Sequence, residues 1–184
     1  MSKFNLFPDD YIDSTYLIDF EALAREGYKG VIFDVDNTLV PHNAPADDRA
    51  KKLFAQLNQL GYSALLLSNN KEPRVKTFKE AVTFCSYIYK AGKPSAKGYI
   101  KAMEAMGTDR SNTLFVGDQI LTDIWGAKRA GIRAIMVKPV LKWKEEIQII
   151  LKRILEAVIL LFYKIYKVCG GEVKRTPLRD EPLK

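Results

Sequence analysis

The apolar positions of this 184-residue chain fall into two recurring patterns. Short continuous runs stand at 31–33 (VIF), 64–67 (ALLL), 114–116 (LFV) and 134–137 (AIMV). Runs this short, without polar alternation, are how strands covered on both faces read. Between them the apolar residues recur at helical spacing. Ala50, Leu53, Phe54, Leu57 and Leu60 make one stripe, stopped by Gly61. Further helices are expected over 95–106, with Ser95 as N-cap and Gly107 as stop, and over 122–130, closed by Gly131. A fifth strand is expected at 85–89 (CSYIY), after a helix over 71–82. Strands alternating with helices predict an α/β domain built on a doubly wound, mostly parallel sheet, with right-handed crossovers.

The pattern changes after residue 146. Ile147, Ile150, Leu151, Ile154, Leu155, Val158 and Leu161 or Phe162 continue a helical stripe, flanked by Lys152, Arg153, Lys164 and Lys167. Its uninterrupted apolar stretch, 157–163, is far below the roughly 20 residues needed to span a bilayer. An amphipathic helix lying in an anionic membrane interface fits. Packing onto the sheet and pairing with another subunit want the same spacing. Residues 174–184 (KRTPLRDEPLK), with two prolines and mixed charge, are expected to be a mobile tail.

Composition adds bounds. With 47% apolar and 28% charged residues the chain is expected to fold as one domain. Cys85 and Cys169 are far apart and outside any CxxC, which argues against a disulfide framework or zinc site and for a reducing, cytoplasmic setting. The N-terminal residues mix acids with apolar side chains, so no export signal is expected. Of the formal net charge of +7, a net +5 falls on residues 138–184, where 11 basic and 6 acidic residues suit an anionic partner.

Candidate chemistry sits at the strand ends. Asp34 and Asp36 follow VIF; Ser68, Asn69 and Asn70 follow ALLL; Lys93 follows CSYIY; Asp118 and Asp123 follow LFV. An open α/β sheet binds ligands beyond the carboxyl ends of its strands, so one rim would gather carboxylates, a hydroxyl and an ammonium. Crowded carboxylates stay ionised at neutral pH only when a cation joins them, and hard oxygen donors suit Mg²⁺. With a phosphate in place, one carboxylate can attack phosphorus while another handles the proton. Ser68 and Lys93 would bind the phosphoryl oxygens.

DVDNT at 34–38, Ser68, Lys93-Pro94 and GDQILTD at 117–123 resemble, in order, the four motifs of the haloacid dehalogenase (HAD) superfamily. The resemblance covers about residues 31–137 and implies a Rossmann-like fold with Mg²⁺ as cofactor. It implies Asp34 as nucleophile and Asp36 as general acid/base, with Ser68 and Lys93 completing the catalytic set. Ser68, Asn69 and Lys93 would bind substrate; Asp34, Asp36 (through its backbone carbonyl), Asp118 and Asp123 would hold the metal. Thr38 should support the loop. An acid at position 36 resembles the phosphatases of the superfamily more than its ion-pumping ATPases.

No cap domain fits between Thr38 and Ser68 or between Ser68 and Lys93, which resembles members that act on large substrates, or on small ones when oligomerised. The flanking sequence, including FNLFPDDYIDS, resembles the YqeG-type branch of HAD class III, similar to mitochondrial phosphatidylglycerophosphatases. That resemblance implies a phosphorylated lipid substrate, phosphatidylglycerol phosphate, met at the inner face of the membrane by a peripheral protein. The expected divisions are 1–28 (an extension packing on the core), 29–143 (HAD core), 144–170 (amphipathic helix) and 171–184 (tail). Two rivals stand beside this reading: a phosphatase for protein or nucleic-acid phosphates, with nucleic acid the less favoured partner, and a non-enzymatic module that only binds through the phosphate pocket or the C-terminal helix. The pattern assigns no oligomeric state.

Overall fold

The computed structural model describes residues 6–140, 147–171 and 173–183. The boundary expected at 143/144 lies outside the described residues, as do the side chains of Ile147, Ile150, Leu151, Lys152 and Arg153 from the expected stripe.

The chain runs β1 (Asp10–Ile12), a 3₁₀ turn (Thr15–Leu17), α1 (Phe20–Arg25), β2 (Gly30–Phe33), α2 (Asp48–Gln59), β3 (Ser63–Leu67), α3 (Glu72–Ala81), β4 (Cys85–Ile88), α4 (Ala96–Met106), β5 (Thr113–Gly117), a π-helical turn (Ile120–Ile124), α5 (Trp125–Ala130), β6 (Arg133–Val137) and α6 (Ile147–Val168). Six strands form one parallel sheet in the order β1-β6-β5-β2-β3-β4. Successive side chains of a strand face opposite layers. Val31 and Phe33 therefore pack with Phe20, Leu53 and Phe54 on one face, while Ile32 joins Tyr99, Phe115 and Ile124 on the other. Phe33 is fully buried and meets Phe20 and Phe54 ring to ring; burial of such a side chain contributes about 1.5–3 kcal/mol. Gly107 and Gly131 end α4 and α5 in the left-handed conformation, with φ of 65° and 80°, where glycine meets no Cβ penalty.

The five expected strands appear as β2 to β6, to within a residue or two. The sixth, β1, comes from the N-terminal extension, which thus joins the sheet beside β6 as well as packing on it. Its Tyr16, Ile18, Phe20 and Leu23 are core residues.

The expectation of a mobile tail is corrected. Thr176 N–H donates to Asp10 Oδ2 at 2.6 Å, Arg179 N–H to the Leu17 carbonyl at 2.9 Å and Leu183 N–H to the Tyr16 carbonyl at 3.0 Å, so residues 176–183 lie along the N-terminal segment. These three partners lie more than 160 positions away, which no local pattern announces.

Among the described residues the segments between Thr38 and Ser68 and between Ser68 and Lys93 hold α2, β3, α3, β4 and their connecting loops, and no cap domain covers the rim. Helix α6 packs through Glu156, Ile159, Leu160 and Tyr163, whose ring meets Phe7 at 5.7 Å. The described part of the expected stripe faces the other way: Ile154, Leu155, Val158, Leu161 and Phe162, with Ile165 and Val168, are 47–87% exposed. No helix among the described residues is long and apolar enough to cross a membrane.

Candidate active site

From β2 the chain moves through β3 to β4 on one side and returns through β5 to β6 on the other, so the strand order reverses between β2 and β5. Such a reversal opens a crevice at the carboxyl ends. Asp34 and Asp118 follow these two strands directly, and Asp34 N–H donates to the Val116 carbonyl at 3.0 Å, fixing the two ends in register.

Beyond Asp34 the chain turns sharply. Asn37 adopts a left-handed φ of 64°, a conformation asparagine tolerates better than most residues, and its N–H donates to the Val40 carbonyl at 2.7 Å. The turn brings Thr38 back under the site. Its hydroxyl sits between two carboxylates, 3.3 Å from Asp34 Oδ2 and 3.2 Å from Asp118 Oδ1. The N-terminal segment buttresses this loop: Thr15 Oγ1 donates to the Thr38 carbonyl and Tyr16 Oη to the Leu39 carbonyl.

Asp123 reaches the cluster from the π-helical turn. Its Oδ2 accepts from Gln119 N–H at 3.1 Å. A Cβ at position 117 would lie 2.7 Å from that oxygen and 2.6 Å from the Phe115 ring, so Gly117 is needed for Asp123 to fold against the strand end. Behind the turn, the Tyr99 hydroxyl faces the carbonyls of Thr122 and Asp123.

Lys93 ties the group together. Its Nζ donates to Asp34 Oδ1 at 2.6 Å and Asp123 Oδ1 at 2.7 Å, with all three side chains buried. Burial favours neutral Lys93, but the charges of Asp123 and Asp34 outweigh it and hold the ammonium above its usual range. Burial pushes the Asp34 carboxyl up to about 7, with Asp123 and Asp36 adding to the rise and Lys93 opposing it.

Asp34, Asp118 and Asp123 each offer an oxygen within 4.8 Å of the others. Three carboxylates against one ammonium leave a formal excess of two negative charges, and every donor is a hard oxygen. A divalent cation fits both the charge and the donor set. The Asp36 carboxylate lies outside this trio. Its Oδ1 accepts from Asn43 N–H at 2.7 Å and from Arg74 Nε and its terminal nitrogen at 3.3 and 2.9 Å, while Oδ2 accepts from Asn70 Nδ2 at 2.6 Å.

Ser68 is buried at the end of β3, where its Oγ accepts from Asn70 N–H at 3.1 Å. The expected substrate ligand Asn69 has another employment for its side chain: Oδ1 accepts from Lys93 N–H at 2.8 Å and Nδ2 donates to the Lys93 carbonyl at 3.1 Å. Asn69 thus clamps the loop that presents Lys93.

Arg74 belongs to none of the sequence motifs and is not among the expected site residues. Its place one helical turn after the Ser68 loop is the signal that could have tied it to the site.

A model of the haloacid dehalogenase-like hydrolases matches residues 41–131 of this chain, a span that holds Ser68, Lys93, Asp118 and Asp123 and begins beyond the acidic pair. The probable phosphatase YqeG of Bacillus subtilis (strain 168) is 38% identical over 141 residues, covering 76% of this chain and 81% of that protein. The chain belongs to the haloacid dehalogenase-like hydrolases. Its likeness to YqeG places it with the phosphatases of the YqeG-type branch. Phosphatidylglycerophosphate phosphatase 1, chloroplastic/mitochondrial, of Arabidopsis thaliana is 28% identical over 145 residues, 70% of this chain. The chloroplastic phosphatidylglycerophosphate phosphatase 1 of Chlamydomonas reinhardtii is 28% identical over 148 residues, 76% of this chain. The chain spans 39% and 55% of the lengths of these two proteins. An uncharacterized protein from Listeria monocytogenes serotype 4b shares the fold, with a TM-score of 0.50 at 20% identity over 64% of this chain and 84% of that one.

Proposed function

We propose that this HAD phosphatase removes the terminal phosphate of a phospholipid, phosphatidylglycerol phosphate, at the inner surface of the cytoplasmic membrane. The observation that carries the chemistry is the buried meeting of Asp34, Asp118, Asp123 and Lys93 at the switch point of the sheet. Two plant and algal relatives bearing the name phosphatidylglycerophosphate phosphatase support the substrate.

Asp34, Asp118 and Asp123 would hold the divalent metal, Mg²⁺, with the Asp36 carbonyl as a further oxygen. The metal supplies charge neutralisation for the phosphoryl group. An Asp34 oxygen attacks phosphorus, the ester P–O bond breaks, and the leaving oxygen takes a proton from Asp36. Asp36 then removes a proton from water, whose oxygen attacks phosphorus; the aspartyl-phosphate bond breaks and inorganic phosphate leaves. Lys93 fixes Asp34 and meets the phosphoryl charge, and the Ser68 hydroxyl donates to a phosphoryl oxygen.

The open rim suits a substrate too large for a closed chamber. Beside it, the outward face of α6 presents contiguous apolar side chains with Lys164 and Lys167 exposed among them. Apolar burial plus cationic attraction is the mode by which amphipathic helices bind anionic bilayers.

Phosphate release with Mg²⁺ should be compared across vesicles containing phosphatidylglycerol phosphate, phosphopeptides, nucleotides and a soluble aryl phosphate. Fastest release from the vesicles is expected. Faster release from a phosphopeptide or nucleotide would overturn the lipid assignment and leave the phosphatase chemistry intact; no release from any phosphomonoester would remove the enzyme reading.

A further inference from the structure

Glu156 is a carboxylate on the inward face of α6, only 3% exposed. Burying a carboxylate is costly unless donors meet it. Two backbone amides donate to its Oε1: Ile120 N–H at 2.7 Å and Leu121 N–H at 3.3 Å.

These amides open the π-helical turn that carries Asp123. The first amides of a helical segment have no partner within it and need an outside acceptor. Gln119, the residue in the capping position, supplies no side-chain cap. Glu156 therefore serves as the cap from 36 positions away, on a different element. The turn is held from within by Asp123 Oδ2 on Gln119 N–H, while the other Asp123 oxygen accepts from Lys93. A shift at Ile120 and Leu121 bears directly on the aim of Asp123.

We propose that Glu156 is a positioning residue for the catalytic centre, setting the turn that delivers Asp123 to Lys93 and the metal site and so making α6 a support of the active site. The proposal rests on the carboxylate cluster as a metal-dependent phosphatase centre. It does not rest on the lipid substrate.

The test uses the full chain with Glu156→Gln, Glu156→Asp and Glu156→Ala, and Tyr163→Ala as a control that loosens the same helix from Phe7 without touching the turn. Mg²⁺ affinity is read by calorimetry, kcat and KM on a soluble aryl phosphate, and stability by thermal unfolding. Groups that orient metal ligands typically cost about 10–100-fold in affinity or activity when removed. Glu156→Ala should weaken Mg²⁺ binding and lower kcat by roughly that range, with KM nearly unchanged. Glu156→Gln keeps an acceptor at the same reach and should restore most of both. Tyr163→Ala should lower the unfolding temperature while Mg²⁺ affinity holds.

Wild-type Mg²⁺ affinity and kcat in Glu156→Ala would overturn the proposal, as would an equal Mg²⁺ loss in Tyr163→Ala. If Glu156→Ala does not fold, Glu156→Asp decides: one methylene shorter, it should weaken Mg²⁺ binding, and wild-type values would overturn the assignment. Failure of the phosphatase reading shows separately, as wild-type protein that binds Mg²⁺ but releases no phosphate.

Discussion

Two aspartates one residue apart stand in opposite surroundings. Asp34 lies among carboxylates, with Asp118 and Asp123 close by and one ammonium to hold them together. Asp36 lies among donors, with the Arg74 guanidinium, the Asn70 amide and the Asn43 N–H all directed at it. The contacts come from different links: Asp34 meets Asp118 and Asp123 after β5 and Lys93 after β4, while Asp36 meets Asn70 and Arg74 after β3 and Asn43 of its own loop. Paired acids divide their labour when their environments differ, and under the proposed function the crowded acid attacks beside the metal while the acid met by donors handles the proton. The motif is one segment, but under the proposed function the site divides into a metal half and a proton half.

The strongest way to break this division is Asp34→Asn. Removing a nucleophile that acts with its partners as a unit should cut kcat by at least about 10⁴-fold, and no covalent phosphoenzyme should be trapped by rapid acid quench. A variant retaining a tenth of the activity would dismiss the covalent route.

Next in size is the contrast between Asp36→Asn and Asp118→Asn. Loss of a general acid/base typically costs about 10²–10⁴-fold. Asp36→Asn should show that loss with Mg²⁺ affinity within about twofold of wild type, because its side chain is turned to Arg74 and Asn70 and the proposed metal contact is a backbone oxygen. Asp118→Asn should lose Mg²⁺ binding itself. Equal metal losses in calorimetry would show that the two halves are one.

The gathering of carboxylates and Lys93 was legible because these residues follow strands that short apolar runs announce: Asp34 after VIF, Asp118 after LFV, Lys93 after CSYIY. The supports were not. Arg74 sits on a helix, where a charged residue reads as solvent-facing, and only the fold turns it toward Asp36. Glu156 lies inside an apolar run, and the contacts that tie it to the Asp123 turn are with backbone amides, which leave no mark in side-chain pattern. Strand β1 is three residues long and begins with Asp10, too short to show a period. For α6 the periodicity was read correctly as a helix, and the described part of the apolar stripe is the face it leaves outside, since the inward contact is made by Glu156 and Tyr163 with Ile159 and Leu160.

Arg74→Ala tests the proton half from its rim. A hydrogen bond to a charged group contributes about 1.5–3 kcal/mol, so kcat should fall by roughly 10–100-fold with Mg²⁺ affinity unchanged. Lysine should rescue poorly, because it lacks the planar fork that places two nitrogens on Asp36 Oδ1. Full activity in Arg74→Lys would reduce the contact to simple charge balance.

The smallest expected effects separate the halves most cleanly, because they come from neighbours in sequence. Asn69 holds the backbone of Lys93 from both sides, and Asn70 donates to Asp36. Asn69→Ala removes the acceptor for Lys93 N–H and the donor to its carbonyl, which should loosen the ammonium that meets the phosphoryl group. KM for a soluble aryl phosphate should rise several-fold, and stability should fall by about 1–2 kcal/mol. Asn70→Ala leaves Lys93 in place and frees one oxygen of Asp36, so kcat should fall by about threefold to tenfold while KM holds. The double variant should show both changes at full size, since the two side chains share no partner. A double variant no worse than the weaker single one would mean that Asn69 and Asn70 act through one loop movement, and the division between metal half and proton half would then end at the carboxylates themselves.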